Sequence, residues 1–419
     1  MGVSLGFHII FAALGIGLPL LLLIAEGLWL KTRAPHYREL ARQWAKATAL
    51  TFVVGAVSGT ALSFELGLLW PNFMQFAGPT IGSAFTLEGF AFFIEAIFLG
   101  LYLYGRDRLS PRHHFLTTIP LALSGFASGI LVMAANSWMQ FPTRAAGGQL
   151  LLDPVAPFIS PAWFHMSLHS SLSCFAATGF AAAGVYALGM LRGRHDAYHR
   201  SGLRIALAVA AVAAVLQPLS GDISARSVAR IQPAKLAAME SVFATEHGAP
   251  LLLGGWPDVA NRTVHYAIRI PRGLSLLAHH DPNAEITGLD RFARENWPNV
   301  VVTHVSFQIM VAIGFLLAAL ALLFWIVEWR GRQISPGLLR ALLVASPLGF
   351  VALEAGWMVT EFGRQPWTIN GTMRTSEAVT NVSGVWLTFT GFCILYAVLA
   401  TVLPMLLRRL AQNRRTEHA

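Results

Sequence analysis

Residues 356–371, GWMVTEFGRQPWTING, gather three chemically capable side chains in an apolar setting. Trp357, Glu361 and Arg364 stand at i, i+4 and i+7, one face of a helix that is otherwise hydrophobic. A carboxylate at the end of a membrane-length segment is costly to bury, so it calls for a partner or a function. The alternative is a Glu solvated at the helix end.

Other polar residues interrupt apolar runs in the same way. His8, His165 and His169 lie inside such runs, the last two at i and i+4 on a shared face. Neutral imidazole is an axial ligand for haem iron, and the same pair would serve equally as a hydrogen-bonded helix contact. Met310, in SFQIMVAIGF, becomes a ligand only beside a histidine and a haem; otherwise its thioether fills core. Glu88 and Glu95 share one face of SAFTLEGFAFFIEAIFLGLYLYG, two turns apart, where carboxylates must be protonated, paired or lining a proton path. Glu65 follows the small-residue run GAVSGTA, which permits close approach of a helix or a flat group. Trp138, in AANSWMQFPTR, suits an interfacial belt. Lys235 and Glu240, in QPAKLAAMES, sit in a polar stretch where most charges are simply solvated.

The elements that must position these residues are membrane helices. Hydrophobic residues make up 55% of the 419-residue chain and charged residues 12%, with mean hydropathy +0.56. That is the composition of a polytopic, all-α membrane protein. Apolar segments at roughly 2–30, 47–70, 83–104, 115–138, 162–191, 203–221, 304–328, 338–360 and 382–408 predict nine transmembrane helices. The run is apolar from Met1, without a basic n-region or cleavage site, and reads as a first span. Cys174 and Cys393 both lie in apolar segments, and no CxxCH motif exists for covalent haem attachment.

The net charge of +9 does not point to nucleic acid, because the basic residues cluster in short connections. Loops 31–46, 105–114 and 192–202 carry Lys31, Arg33, Arg38, Arg42, Lys46, Arg106, Arg108, Arg112, Arg192, Arg194 and Arg200, while loops 71–82 and 139–161 carry almost none. With Arg330, Arg332, Arg408, Arg409, Arg414 and Arg415 on the basic side, the N-terminus is expected outside and the C-terminus in the cytoplasm. The expected organisation is helices one to six over 1–221, a polar outer excursion over 222–302, helices seven to nine over 303–410, and a tail at 411–419. No inverted repeat of the transporter kind is evident.

Together these segments resemble subunit I of the cytochrome bd-type quinol oxidases along nearly the whole chain. GRQPW, preceded by EAGW, is the most specific match; LEGFAFFIEA, NSWMQFP, KLAAME and FQIMVAIGFLL follow in the family's order. The resemblance implies oxidation of quinol at the outer face and reduction of O2 to water, building a proton gradient without pumping. It implies a low-spin haem b held by His169 and Met310, His169 being preferred to His165 for its distance from Pro161 and the LRGR at 191–194. It also implies two high-spin haems, one b and the other d or a further b, served by His8, Glu88 and Glu361. Trp357 lies near them, Arg364 bonds a propionate, Glu95 belongs to a proton path, and Lys235 and Glu240 handle quinol in a Q-loop of the short type. A second multispan subunit, small single-span subunits and the bacterial cytoplasmic (inner) membrane are implied as surroundings. Gln308 departs from an Arg found in many members two residues before the Met, and Ala96 from a common hydroxyl. The competing readings are a proton-coupled transporter and a b-haem electron-transfer subunit without oxygen chemistry.

Overall fold

The computed structural model describes residues 1–416, with side chains described through 410, so Arg414 and Arg415 lie outside the described side chains. Six long helices come first: α1 (Gly2–Thr32), α2 (Pro35–Leu69), α3 (Pro71–Gly105), α4 (Pro111–Gln140), α5 (Trp163–Leu191) and α6 (Ala197–Ile231). Two short ones follow, α7 (Pro233–Glu240) and α8 (Gly273–His279). Then come α9 (Val300–Trp329), α10 (Pro336–Ala345), α11 (Leu348–Phe362), the short α12 (Thr375–Ala378) and α13 (Val385–Thr416). Among the described residues nine segments are long and apolar enough to cross a membrane, with α10 and α11 sharing one crossing.

Several boundaries differ from those expected. Residues 31–46 are not a loop: only Arg33 and Ala34 separate α1 from α2. Residues 71–82 are the first three turns of α3. Proline opens α2, α3 and α4, where its fixed φ suits the first turn and its missing N–H costs nothing. Ser110 and Asp196 cap α4 and α6 by accepting from the backbone N–H of His113 and His199. Helix ends follow such local chemistry and not the hydropathy profile, which is why the helices outrun their apolar centres. In the same way α6 continues ten residues into the polar stretch, where Asp222 and Arg226 pair across one turn.

The eighth crossing, expected as one helix over 338–360, is broken at Pro347. Proline removes a helical donor and crowds the preceding turn, so α10 stops at Ala345 and α11 starts at Leu348.

Between α7 and α9 the excursion folds back on itself as three nested antiparallel pairs. β1 (Glu246–His247) meets β6 (Glu285–Ile286), β2 (Leu251–Leu253) meets β5 (Ile268–Ile270), and β3 (Trp256–Asp258) meets β4 (Thr263–His265). A further pair, β7 (Trp367–Ile369) and β8 (Met373–Arg374), follows GRQPW. The excursion has its own core of Leu236, Met239, Phe243, Leu274, Ile286 and Leu289, and Val359 of α11 enters it. The loop is thereby packed onto the end of the eighth crossing.

Trp138 is not in an interfacial belt. It is fully buried with Phe73, Ile81 and Ile369, because the segment after α11 crosses over it.

Candidate functional site

The excursion, α4 and α11 meet at one end of the helix bundle. Lys235 Nζ lies 3.3 Å from Gln140 Oε1 and 3.5 Å from the Thr360 carbonyl. Gln140 donates to the same carbonyl at 3.1 Å, and Gln232 donates to the Gln140 carbonyl at 3.0 Å. One turn on, Arg364 Nη2 lies 2.5 Å from Glu361 Oε2, while Arg364 Nε and Nη1 are buried without partners. Burial pushes the Lys235 ammonium down to about 7, with the nearby Arg364 charge adding to the fall and Glu361 opposing it. Burial also raises the Glu240 carboxyl to about 8, and its Oε2 has no partner. Gln140, the hub of this junction, went unassigned in the sequence, although it ends the NSWMQ run.

Helix α1 enters the same end. His8 Nδ1 lies 2.9 Å from Ser58 Oγ, which also lies 2.9 Å from the Val54 carbonyl, so the ring is anchored at Nδ1. A Cβ on Gly59 would stand 3.0 Å from His8 Cε1, so α2 approaches the ring through a glycine. Gly6 packs on α11: a Cβ there would lie 3.3 Å from Glu354 Oε2 and 3.8 Å from Trp357 Cζ3. Glu354, Trp357 and Glu361 therefore line one face of α11 at i, i+3 and i+7, whereas α11 ends at Phe362 and Arg364, expected on the same helix face, stands in the turn beyond it and reaches back to Glu361. Glu354 Oε1 is buried without a partner. This carboxylate sits inside the EAGW match and was legible there by its spacing, yet was not singled out.

Helix α5 carries the histidine pair against α6. His165 Nδ1 is 3.0 Å from Ser224 Oγ, and its Nε2 is buried with no partner. His169 Nδ1 is 2.9 Å from Ser220 Oγ, while Gln217 Nε2 lies 3.1 Å from His169 Nε2. The two rings differ in that one nitrogen of His165 is unclaimed. Met310 of α9 packs against Gly356 of α11, where a Cβ would come within 2.9 Å of its sulfur and the thioether would have to shift.

A polar seam runs along α3 away from this end. Glu88 hydrogen-bonds Ser128 of α4. Glu95 is buried, its Oε1 unpartnered, and a Cβ on Gly125 would be 3.4 Å from its carboxyl group. Tyr102, another two turns along the same face, donates to Glu26 Oε2 at 2.9 Å. His114 Nδ1 lies 2.9 Å from Glu26 Oε1 and its Nε2 2.9 Å from the Tyr102 carbonyl. Glu26, Tyr102 and His114 were not expected as a cluster, because 105–114 reads as a solvated basic loop.

Among the described residues no three His, Cys, Asp or Glu side chains converge to hold a bare metal ion. The donors are instead spread singly over α1, α3, α5, α9 and α11. That arrangement suits large flat prosthetic groups, each taking one or two axial donors from facing helices. The unclaimed Nε2 of His165, the glycines beside His8 and Met310, and the two free guanidinium nitrogens of Arg364 are a donor set that fits haem and its carboxylates.

The family model for cytochrome bd terminal oxidase subunit I matches residues 1–415. This chain belongs to that family. A Bacillus subtilis (strain 168) protein provisionally named cytochrome bd menaquinol oxidase subunit I is 35% identical over 97% of this chain and 94% of its own length. Cytochrome bd ubiquinol oxidase subunit 1 from the same organism is 30% identical, covering 96% of this chain and 90% of the relative. The solved bd oxidase from Geobacillus thermodenitrificans superposes with TM-score 0.91 and 36% identity, over 98% of this chain and 96% of that one. The fold described above is therefore the cytochrome bd fold, and the family implies haem cofactors and a quinol substrate.

Proposed function

We propose that this chain is the haem-bearing subunit of a terminal quinol:O2 oxidoreductase, with its quinol chemistry at the junction of α7, α4 and α11. The observation that carries this reading is the packing of the loop lysine, Lys235, directly over Thr360 in the last turn of α11 and over Gly363, which follows it. A donor site in the loop and an acceptor site in the bundle are thus neighbours.

Bound haem supplies one-electron transfer and oxygen reduction. The chain's own residues do the rest. Glu240, held protonated by burial at neutral pH, accepts a quinol proton when ionised. Lys235, readily neutral, offers a hydrogen bond to a quinol oxygen without fixing a charge there. Met310 and an imidazole of α5 would hold a low-spin haem b; both rings have an Nδ1 anchored on a serine of α6, and sequence distances assign the ligand to His169. His8, Glu88 and Glu361 would serve two high-spin haems, one b and the other d or b. Trp357 and Glu354 would wall that space, and Arg364 would pair a propionate. Glu95 would pass protons along α3 toward Glu88, since apolar spans exclude bulk water.

The loop end is assigned to the outer face and the basic end to the cytoplasm of a bacterial inner membrane, which makes the reaction electrogenic without a pump. A second multispan subunit and small single-span subunits complete the complex. The relatives are named for two different quinols, so the substrate is given as a quinol.

The test is a reduced-minus-oxidised spectrum of the purified protein together with quinol-driven oxygen uptake. Both signals are expected. Absence of haem under haem-replete expression overturns the reading, and a low-spin spectrum without oxygen uptake leaves only an electron-transfer subunit.

A further inference from the structure

We propose that His304 and Gln308, one turn apart on α9, are positioning residues that clasp the outer loop and set the place of Glu240 relative to Met310. The proposal rests on the reading of Glu240 as the quinol proton acceptor.

His304 is fully buried. Its Nδ1 donates to the carbonyl of Met239 at 2.8 Å, the residue before Glu240, and its Nε2 lies 3.3 Å from the carbonyl of Gly254. Gln308 completes the contact with the same turn. Its Oε1 accepts from the Gly254 N–H at 2.9 Å, and its Nε2 donates to the Leu252 carbonyl at 3.0 Å. Gly254 and Gly255 have φ of +67° and +108°, the left-handed backbone that makes the turn between β2 and β3 tight enough to enter.

The two side chains therefore reach four backbone groups on three residues, from two separate parts of the loop. Both come from the helix that carries Met310, two residues beyond Gln308. Helix α7 ends at Glu240, with Ser241 in a left-handed conformation, so a hydrogen bond at Met239 fixes the turn from which the Glu240 side chain leaves. An α-helix is stiff over two turns, so the clasp ties loop and bundle in one rigid unit. A buried carboxyl with an unpartnered oxygen has no side-chain bond of its own to hold it in place. Its position must come from the backbone.

The test uses purified holoenzyme and four variants. His304→Ala and Gln308→Leu should each raise the quinol KM roughly tenfold, the scale of one lost buried hydrogen bond. Haem content and single-turnover reoxidation by O2 of the enzyme, pre-reduced and freed of reductant, should be unchanged, since that reaction begins after the quinol step. His304→Asn, which keeps a donor near Met239, should recover part of the loss. Adding His304→Ala to Glu240→Ala should cost little more than Glu240→Ala alone. A normal quinol KM in both single α9 variants, beside an impaired Glu240→Ala, overturns the clasp alone. Fully additive losses, or loss of the haem spectrum in both α9 variants, also overturn it by showing a purely structural role. Normal quinol turnover in Glu240→Ala overturns the quinol-site reading and the clasp with it.

Discussion

Glu361 Oε2 lies 2.5 Å from Arg364 Nη2, and the other guanidinium nitrogens, Nε and Nη1, are buried without partners. The arginine thus both neutralises the carboxylate and holds donors in reserve for a second anion. Arg364→Ala should strip most of the high-spin haem absorbance while the low-spin band persists. Arg364→Lys should restore little, because a point charge cannot serve two anions in fixed planar geometry. Haem extraction and difference spectra check both outcomes.

The α5 histidines give a second expectation. Both imidazoles have an Nδ1 anchored on a serine of α6, and the sequence spacing assigns the ligand to His169. His169→Ala and Met310→Leu should each abolish the low-spin signal. His165→Ala should keep it; loss of the signal in His165→Ala with retention in His169→Ala would move the assignment to His165.

Glu240 sets a pH dependence. Its carboxyl is raised to about 8 by burial, so the ionised, proton-accepting form grows as pH rises toward that value. Quinol kcat/KM should climb about tenfold per pH unit below it and level off above, the limb of a single base. Glu240→Gln should lose both the limb and most of the activity. The stability sign is opposite: a raised carboxyl stabilises the docked loop fully below the ordinary carboxylate range and loses that contribution as pH rises through about 8. Limited proteolysis of residues 246–286 should accordingly quicken at alkaline pH.

Glu95 is the acidic group midway along the α3 seam. Glu95→Gln preserves shape and removes the exchangeable charge. Turnover should fall roughly 100-fold, the scale of a lost proton-transfer group, with haem spectra intact. Stopped-flow oxygen reaction and static spectra on one preparation separate those two effects.

The Glu26–His114 contact at 2.9 Å is a buried pair, both side chains almost fully enclosed. Removing Glu26 strands the buried His114 Nδ1 and the Tyr102 hydroxyl, at a cost of about 1–3 kcal/mol for each group left unpaired. Glu26→Ala should lower the thermal midpoint of the purified protein clearly more than the triple change Glu26→Leu, Tyr102→Phe and His114→Phe, which strands no side chain of the cluster.

The amino-acid sequence by itself determined the class of molecule. Long apolar runs can satisfy their backbone only as helices in a bilayer, so nine crossings and one excursion follow from hydropathy. It also marked the residues too expensive to be incidental, among them Glu88, Glu95, Glu361 and Arg364, because a polar group in an apolar run is visible without any neighbour. Tertiary structure alone decided what those groups meet. The fold moved helix starts to Pro35, Pro71 and Pro111, since capping and proline geometry act over one turn and hydropathy averages over many. It buried Trp138 and His114, which local sequence placed at surfaces. It showed that Gln140 joins Lys235 to Thr360, and that His165 and His169, equivalent by helical period, have different partners on α6. A hydrogen bond between residues more than fifty positions apart depends on how helices pack, and no local pattern encodes it.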